Sequence, residues 1–390
     1  MILILEIVFW FSILLILHSY LIYPQLIRWI TKNKKTNTNV FENAAELPYV
    51  SILMAAHNEA SVIASKIKSV FESNYPKEKI EFLIGSDNST DDTNQIIKEL
   101  ITVYPQIEFF DFKNRNGKIR IINNLAEKAQ HPILILTDSN VIFEANTINE
   151  LVKHFKNPLI GLVDSKMVNT GLKKDGISIQ EKTYIHSEVE IKHAEGKLWG
   201  AMMGPFGGCF AIRKTAFATV PENFLVDDFY LNMNALKRGF HCINEPNSIV
   251  YEDVSNDLSE EFRRKIRISA GNYQNLMTFK SLLFRLNGIS FAFFSHKVLR
   301  WKIPFILILI FLILPFVYTS NAIYFYFLIS AITCSILIVI DLLLKSNRVN
   351  IAAFRFLTHF AAMNLALFLG FFKYLRGIKN SVWEPTKRLQ

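Results

Sequence analysis

Apolar residues form long runs at both ends of the chain and alternate with polar residues in the stretch between them. The first run covers residues 2–23, which is about the length of a helix that crosses a bilayer. Three further runs cover residues 303–320, 323–344 and 351–372. The pattern predicts a folded domain that is held to a membrane by apolar segments on both sides of it.

Basic residues next to the apolar runs indicate which side of the membrane the folded domain faces. Those that directly follow the first run are Arg28, Lys32, Lys34 and Lys35. A second group precedes the run that starts at residue 303: Arg285, Lys297, Arg300 and Lys302. Because Lys and Arg collect on the cytoplasmic side of membrane spans, we expect a multi-pass protein of the inner (plasma) membrane with its folded domain in the cytoplasm.

The C-terminal region gives two conflicting predictions. Three full crossings after the folded domain would place the C-terminus outside. The tail, however, is rich in basic residues, which favour the cytoplasm: Lys373, Arg376, Lys379, Lys387 and Arg388. The last apolar run also contains Arg355, His359 and Asn364, so it either lies at the membrane interface or packs on its neighbours. The sequence leaves both alternatives open.

In the stretch between the membrane regions, short apolar segments alternate with amphipathic ones. They predict strands at 49–55, 80–86, 107–110 and 133–137, with helices at 61–73, 91–103 and 117–129. Strands rich in Val, Ile and Leu that alternate with helices are typical of a mixed, mostly parallel α/β sheet with helices on both faces. In such sheets ligands bind beyond the carboxyl ends of the strands, so we expect the chemistry there.

The chain thus divides into a series of predicted segments. They are an N-terminal transmembrane helix at 1–24, a polar linker at 25–48, the α/β domain at 49–285, an interfacial helix at 286–301, C-terminal transmembrane segments at 302–373 and a basic tail at 374–390. The formal net charge of +9, from 43 Lys and Arg against 34 Asp and Glu, agrees with this membrane topology. Since the sequence has neither a basic stripe nor a known nucleic-acid-binding module, we expect no nucleic-acid partner.

Polar and acidic residues follow three of the predicted strands. They are Ala-Ala-His-Asn-Glu at 55–59, Gly-Ser-Asp-Asn-Ser-Thr-Asp-Asp at 85–92 and Thr-Asp-Ser-Asn at 137–140. Asp91 and Asp92 open a predicted helix, so helix capping is the favoured interpretation for them. Asp87 and Asp138 directly follow apolar strands, where a carboxylate can accept hydrogen bonds from a nucleobase or hold a divalent cation.

These strand ends, together with elements further along the chain, resemble the family 2 glycosyltransferases, which have the GT-A fold. The additional matching elements are Asn-Gly-Lys at 116–118, Val-Asp-Asp at 226–228 and Arg-Lys-Ile-Arg-Ile at 264–268. The last of these stands where the processive synthases of the family have Gln-x-x-Arg-Trp. The resemblance covers about residues 49–275 and points to the membrane-bound cellulose-synthase and poly-GlcNAc-synthase group.

The resemblance implies a nucleotide-sugar site at the carboxyl edge of the sheet. Its residues would be Ala55, His57, Glu59, Asp87, Lys118, Asp138 and Ser139. His57, Glu59 and Asp87 would hold the base and ribose, and Lys118 would face the diphosphate as a point charge. Asp138 and Asn140 would hold a divalent cation, Mg²⁺ or Mn²⁺. Asn140 replaces the second carboxylate of the strict motif, so it would bind the cation more weakly.

The same resemblance assigns the acceptor side to residues further along the chain. Asp228 would be the general base of an inverting transfer, with Asp227 beside it, and a helix N-terminus is the alternative interpretation of this pair. Arg264 and Arg267 would grip phosphate, unless the basic cluster is a solvated or lipid-facing helix. The Gly-rich stretch 200–213 resembles an acceptor-side loop, with an ordinary turn as the alternative.

The residues and the resemblance together predict an inverting glycosyltransferase of cell-envelope polysaccharide biosynthesis. It would move a sugar from a nucleotide-sugar, expected to be a UDP-sugar, to a lipid-linked or growing polysaccharide acceptor at the bilayer. A processive polysaccharide synthase is the alternative, which Ile268 in place of the family's Trp disfavours. A nucleotidyltransferase is disfavoured because residues 55–58 contain no Gly-rich phosphate loop. A non-catalytic membrane scaffold would not need Asp87, Asp138 and Asp228 at one sheet edge.

Overall fold

The computed structural model describes residues 1–170, 178–253, 258–346 and 351–378. Three basic residues of the predicted tail, Lys379, Lys387 and Arg388, lie outside the described residues. The strands are β1 (Val50–Ala56), β2 (Ile80–Asp87), β3 (Ile107–Phe112), β4 (Ile133–Thr137), β5 (Ile142–Phe143), β6 (Ile160–Thr170), β7 (Cys209–Arg213) and β8 (His241–Asp253).

The strands form one sheet in the order β3-β2-β1-β4-β7-β6-β8-β5. The pairs β1–β2, β2–β3, β1–β4 and β6–β8 are parallel. Strand β7 runs antiparallel to β4 and β6, and β5 runs antiparallel to β8. The sheet is therefore mixed and mostly parallel, as predicted.

The helices are α1 (Ile2–Leu17), α2 (Tyr23–Thr31), α3 (Ile63–Phe71), α4 (Thr93–Ile101), α5 (Lys118–Lys128), α6 (Thr147–Val152), α7 (Ser178–Trp199), α8 (Asp227–Lys237), α9 (Leu258–Phe279), α10 (Gly288–Ala292), α11 (Leu299–Val317), α12 (Ala322–Ser346) and α13 (Ala352–Leu375). They cover both faces of the sheet because successive side chains of a strand point to opposite sides. From β1, Leu53 joins a core with Leu125 of α5, whereas Ile52 joins a second core with Ile67 of α3.

Four of the described helices are long and apolar enough to cross a membrane: Ile2–Thr31, Gly288–Val317, Ala322–Leu344 and Ala352–Leu375. They are consistent with membrane association. The first continues beyond residue 24, where the sequence suggested its end, because a π-helical turn at His18–Ile22 joins α1 to α2. The amphipathic α2 remains helical because Tyr23 and Ile27 pack against α7.

The interfacial helix predicted at 286–301 does not form a separate element. Instead α10, a π-helical segment at Phe293–Val298 and α11 make one continuous helix. Ser295 and His296 in this segment are fully buried, so these two polar side chains face protein.

The last helix, α13, packs on its neighbours, which was one of the two alternatives for this segment. The hydroxyl of Ser269 in α9 donates to the backbone oxygen of Leu367 at 2.8 Å. Three residues further on, Gly370 lies so close to α9 that a Cβ there would be 2.3 Å from Cβ of Ser269. In the other half of α13, Arg355 forms an ion pair with Asp341 of α12 at 3.3 Å.

Candidate active site

The carboxylate of Asp87, at the end of β2, holds the loop that follows β3. It accepts hydrogen bonds from the backbone N–H groups of Asn116 (2.6 Å) and Gly117 (3.0 Å), and Arg115 forms an ion pair with it at 2.9 Å. The side chain is 0% exposed. The loop thus folds back over the end of β2 and binds both oxygens of Asp87, while a contact of Asp87 with a nucleotide stays a prediction.

The loops after β1 and β2 are joined to each other at the same sheet edge. His57 Nδ1 donates to the backbone oxygen of Asp87 at 2.9 Å, and the side-chain oxygen of Asn58 accepts from the N–H of Thr90 at 2.8 Å. Burial, with a smaller effect of the Arg115 charge, lowers the pKa of His57, which favours its neutral form. Ala55 and Glu59 are buried beside them. These predicted nucleotide-binding residues thus lie together.

Asp91 acts as a helix cap, which was the favoured interpretation. Its carboxylate accepts from the N–H of Thr93, in the first turn of α4, and from the N–H of Ala60, each at 3.1 Å. Asp92 is the N-cap residue itself, without a side-chain capping bond. Both carboxylates therefore belong to the start of the helix.

Lys118 and Asp138 face each other across the centre of the edge. Lys118 is the first residue of α5 and Asp138 follows β4, and their Nζ and Oδ1 atoms lie 2.6 Å apart. About a third of each side chain is exposed. Burial alone would lower the pKa of Lys118, but the charges of Asp138 and Asp227 outweigh burial and raise it. The lysine is therefore a permanent positive charge that a ligand can reach.

Asp227 and Asp228 form the first turn of α8 beside this pair. The Oδ1 atom of Asp228 accepts from the N–H of Phe229 at 2.6 Å. Its Oδ2 atom faces Gly207, where a Cβ would lie 2.5 Å away and where φ is +86°, so this position favours glycine. Burial and the neighbouring Asp227 raise the pKa of Asp228 to about 7. Such a carboxylate can accept a proton near neutral pH.

The two arginines of the basic cluster differ in their surroundings. Arg267 of α9 is half-buried. Burial lowers the pKa of its guanidinium, and Asp227, Asp138 and Asp228 lie close enough for their charges to oppose this effect. Arg264 instead donates to Glu261 of the same helix from Nε (2.8 Å) and Nη2 (3.2 Å). The structure therefore brings Arg267 close to the acidic residues of the site. The guanidinium of Arg264, which was predicted to bind phosphate, is instead hydrogen-bonded to a carboxylate one turn away.

Comparison with known proteins agrees with this geometry. Residues 51–220 match the family model described as glycosyl transferase family 2. The chain therefore carries a family 2 glycosyltransferase domain. A probable glycosyltransferase, YdaM of Bacillus subtilis, is 25% identical over 63% of this chain and 60% of its own length. A poly-beta-1,6-N-acetyl-D-glucosamine synthase of Staphylococcus aureus is 24% identical over 66% of this chain and 61% of its own length.

Further similarities concern a lipid-modifying relative and a solved structure. The beta-monoglucosyldiacylglycerol synthase of Nostoc sp. is 24% identical over 63% of this chain, and the match covers 53% of its own length. The mannosyltransferase PcManGT of Pyrobaculum calidifontis, solved in complex with GDP-Man and Mn²⁺, superposes with a TM-score of 0.71 at 19% identity, covering 95% of this chain and 99% of the other. This likeness confirms the GT-A fold. The chain spans only about half to three fifths of the length of the curated relatives.

Asp138 is the residue of the glycosyltransferase domain that could hold a divalent cation together with a ligand. Among the described residues no group of three or more His, Cys, Asp or Glu side chains could hold a metal ion. Asp138 offers one accessible carboxylate, and a Mg²⁺ ion is commonly held by one or two carboxylates together with substrate phosphates. Asn140 donates from its amide nitrogen to Glu252 of β8 at 2.9 Å, which leaves its amide oxygen as the atom of the predicted cation contact. Ser139 is buried.

Lys66, a residue of the glycosyltransferase domain near the site, was not predicted. Lys66 of α3 is fully buried behind the Asp138 turn, and its Nζ donates to Thr137 Oγ1 (2.8 Å) and to the backbone oxygen of Val141 (2.6 Å). Burial lowers its pKa to about 7. The sequence signal was its spacing, three residues after the buried Ile63, which puts it on the apolar face of an amphipathic helix.

Proposed function

We propose that this chain transfers a sugar from a nucleoside diphosphate sugar to an acceptor hydroxyl, with inversion, at the cytoplasmic face of a membrane. The observation that carries the proposal is the cluster at the sheet edge of a family 2 glycosyltransferase domain. There Lys118 and Arg267 supply positive charge, Asp138 an accessible carboxylate, and Asp228 a carboxylate with a pKa raised to about 7. These are the groups that an inverting transfer needs.

The donor side of the proposal rests on Lys118, Asp138 and Arg267. When the sugar leaves, negative charge develops on the nucleoside diphosphate, and fixed cations beside it stabilise the transition state. A divalent cation bound at Asp138 would neutralise part of the diphosphate charge. PcManGT, which shares the fold, was solved with GDP-Man and Mn²⁺, in keeping with a nucleotide-sugar donor and a divalent cation. A UDP-sugar remains the donor expected from the sequence.

On the acceptor side, Asp228 serves as the general base. It takes the proton of the acceptor hydroxyl while that oxygen forms a bond to the anomeric carbon. The bond from this carbon to the diphosphate oxygen breaks, and the diphosphate leaves with the electron pair on the opposite face. Its Oδ2 atom lies against Gly207 in the Gly-rich stretch 200–213, and the side chain is only half-buried, which supports access by an acceptor. Positioned proton transfer of this kind contributes about 10²–10⁴-fold to the rate.

The acceptor is a lipid-linked or growing glycan, and the chain adds one sugar or a short extension. Helices apolar enough to cross a membrane lie on both sides of the domain, which keeps the site beside lipid. Relatives include a monoglucosyldiacylglycerol synthase and a poly-N-acetylglucosamine synthase, so both acceptor types occur among similar proteins. Ile268 offers no aromatic ring for stacking a sugar chain, which favours a short product over processive synthesis.

The test is a donor screen with the purified full-length protein in detergent. Several UDP- and GDP-sugars are incubated with membrane lipids or short glycans, with Mg²⁺ or Mn²⁺, and nucleoside diphosphate release and glycosylated product are both measured. We expect one donor to give a product that Asp228→Asn does not make. Release and product that are equally low with every donor, in protein that is folded and binds nucleotide, would refute the proposal. Long polymer would instead establish the processive alternative.

A further inference from the structure

The carboxylate of Glu195, in the last turn of α7, connects three separate parts of the chain. It is 0% exposed. Its Oε1 atom accepts a hydrogen bond from the hydroxyl of Tyr23 at 2.8 Å and lies 2.7 Å from Nδ1 of His296. Its Oε2 atom accepts from the backbone N–H of Met203 at 2.9 Å. These hydrogen-bond partners together hold the buried carboxylate in one position.

Two of these partners belong to apolar helices and the third to a loop. Tyr23 starts α2 in the helix Ile2–Thr31, and His296 lies in the π-helical segment of the helix Gly288–Val317. Met203 lies in the segment 200–208, which connects α7 to β7 and which we call the glycine loop. The Glu195 side chain thus links these two apolar helices directly to the glycine loop.

The glycine loop in turn determines the position of the proposed base. Gly204 lies against the ring of Phe229, and Gly207 against the carboxylate of Asp228, each so close that a Cβ would be 2.5 Å away. Between them and Glu195, the amide of Asn232 in α8 donates to the backbone oxygen of Met202 at 3.0 Å. A shift of the glycine loop would therefore displace α8 at Asp228, the proposed base.

We propose that Glu195 is a positioning residue that fixes the glycine loop relative to the two membrane helices, and through the loop sets the place of Asp228. The structural part of this proposal is independent of the reaction, while its effect on turnover rests on the proposed function. Burying a charged group is unfavourable unless its hydrogen bonds are satisfied. The loop position in which the Met203 N–H donates to Glu195 is therefore strongly favoured over positions that break this hydrogen bond.

A second buried acid on the same helix supplies the matched control. Glu188 also contacts His296, at 3.0 Å from Oε2 to Nε2, and it pairs with Lys297 at 2.9 Å and with Arg300. Its partners lie in the membrane helix and not in the glycine loop. Glu188→Gln therefore disturbs the same helix interface, at a similar depth, without removing the acceptor of Met203.

The experiment compares Glu195→Gln with Glu188→Gln in full-length protein in detergent, using hydrogen exchange of peptides that cover residues 200–208. In Glu195→Gln the side-chain amide of the new residue keeps an oxygen that can accept from Tyr23 and His296. Its NH₂ group, however, replaces the oxygen that accepted from the Met203 N–H. We expect exchange in the glycine loop to become roughly tenfold faster or more, because a buried donor is left unsatisfied. We expect kcat to fall in Glu195→Gln with unchanged nucleotide affinity, and loop exchange in Glu188→Gln to match the wild type.

Tyr23→Phe is a milder second variant, which removes one hydrogen bond to Glu195 and keeps its charge. It should raise exchange in the glycine loop to a smaller extent than Glu195→Gln. If loop exchange is unchanged in both variants, or rises equally in Glu188→Gln, the coupling is refuted whatever the activity. If the wild type transfers no sugar but the exchange pattern holds, the proposed function fails and the positioning role of Glu195 stands.

Discussion

Asp228 lies in surroundings that suit a general base working near neutral pH. We expect Asp228→Asn to lower kcat by roughly 10²-fold or more while nucleotide binding is retained, because the proposed base would take the acceptor proton without contacting the nucleotide. Turnover and nucleotide affinity by calorimetry separate the two effects. Asp92→Asn, at the exposed start of α4, is the matched control.

The raised pKa of Asp228 leads to a prediction about the pH dependence of kcat/KM. Since the pKa of Asp228 is raised to about 7, wild-type kcat/KM should decrease as the pH falls below that value and the carboxylate becomes protonated. The residual activity of Asp228→Asn should lack this decrease. A variant with wild-type turnover would leave Asp228 a structural residue of the first turn of α8 and move the base to Asp227.

Lys66 makes a prediction about stability. Its pKa is lowered by burial from 10.5 to about 7, so between these pH values the unfolded chain binds more protons than the folded one. The contribution of Lys66 to the free energy of unfolding should therefore increase as the pH rises through this window. Lys66→Met should reduce the gain in Tm between about pH 7 and pH 9, relative to wild type.

The control for this measurement is Lys68→Met, which removes an exposed lysine from the same helix. This change leaves the buried face of α3 intact, so the variant should follow the wild-type pH dependence. Equal pH dependence in all three proteins would show that Lys66 stays charged in the folded state.

At the scale of elements, the strands and helices of the first half of the domain were predictable because local pattern decides them. The segment 80–86, for example, became Ile80–Asp87, an apolar run ended by polar residues. The directions of the site side chains were not predictable, because distant residues decide them. Asn140 turns to Glu252, and Asp87 is covered by the loop at 115–117. Residue types identified the edge of the sheet, but only the folded loops show which carboxylates remain accessible.

The contact between α9 and α13 makes a prediction at the same scale. At Gly370 a Cβ would lie 2.3 Å from Cβ of Ser269 and 2.9 Å from the backbone oxygen of Ile266, which cannot move aside without shifting α9. Gly370→Val should therefore destabilise the protein by about 1–3 kcal/mol, as overpacking does, and disturb Arg267 on the same helix. Thermal unfolding in detergent measures the first effect, and kcat the second.

Leu365→Val is the control, since this half-exposed side chain of α13 points away from the contact. It should leave Tm and kcat near their wild-type values. A Gly370→Val protein as stable and active as the wild type would mean that α13 does not support the arginine-bearing helix.

For the whole molecule, contacts between the apolar helices define a near side and a far side. At one end the hydroxyl of Ser19 donates to the backbone oxygen of Ser295 at 2.9 Å, beside the folded domain. At the other end Ser320 donates to Glu6 at 2.7 Å, and Trp10 to Tyr324 at 3.0 Å. The helix Gly288–Val317 thus runs from the near side to the far side, and α12 begins on the far side and returns.

Helix α13 stays at the near side along its length. Its residue Phe360 contacts Tyr20 at 6.4 Å between ring centroids, and Phe368 contacts Phe305 at 5.3 Å. At about 1.5 Å per residue, a crossing helix of this length would bring one end to the far side, roughly 30 Å away. It is also less apolar than α12, which suits a helix that lies along the near side.

This arrangement removes the conflict between the apolar runs and the basic tail. With three crossings and α13 along the near side, we expect the N-terminus outside, and both the folded domain and the C-terminus in the cytoplasm. Reporters fused after residue 48 and after Gln390 should therefore both give a cytoplasmic signal, and one inserted at Ser320 an external signal. The fusion at residue 48 controls for the orientation of the domain. An external signal from the C-terminal fusion alone would show that α13 crosses the membrane, in which case its contacts with α9 would have to form within the bilayer.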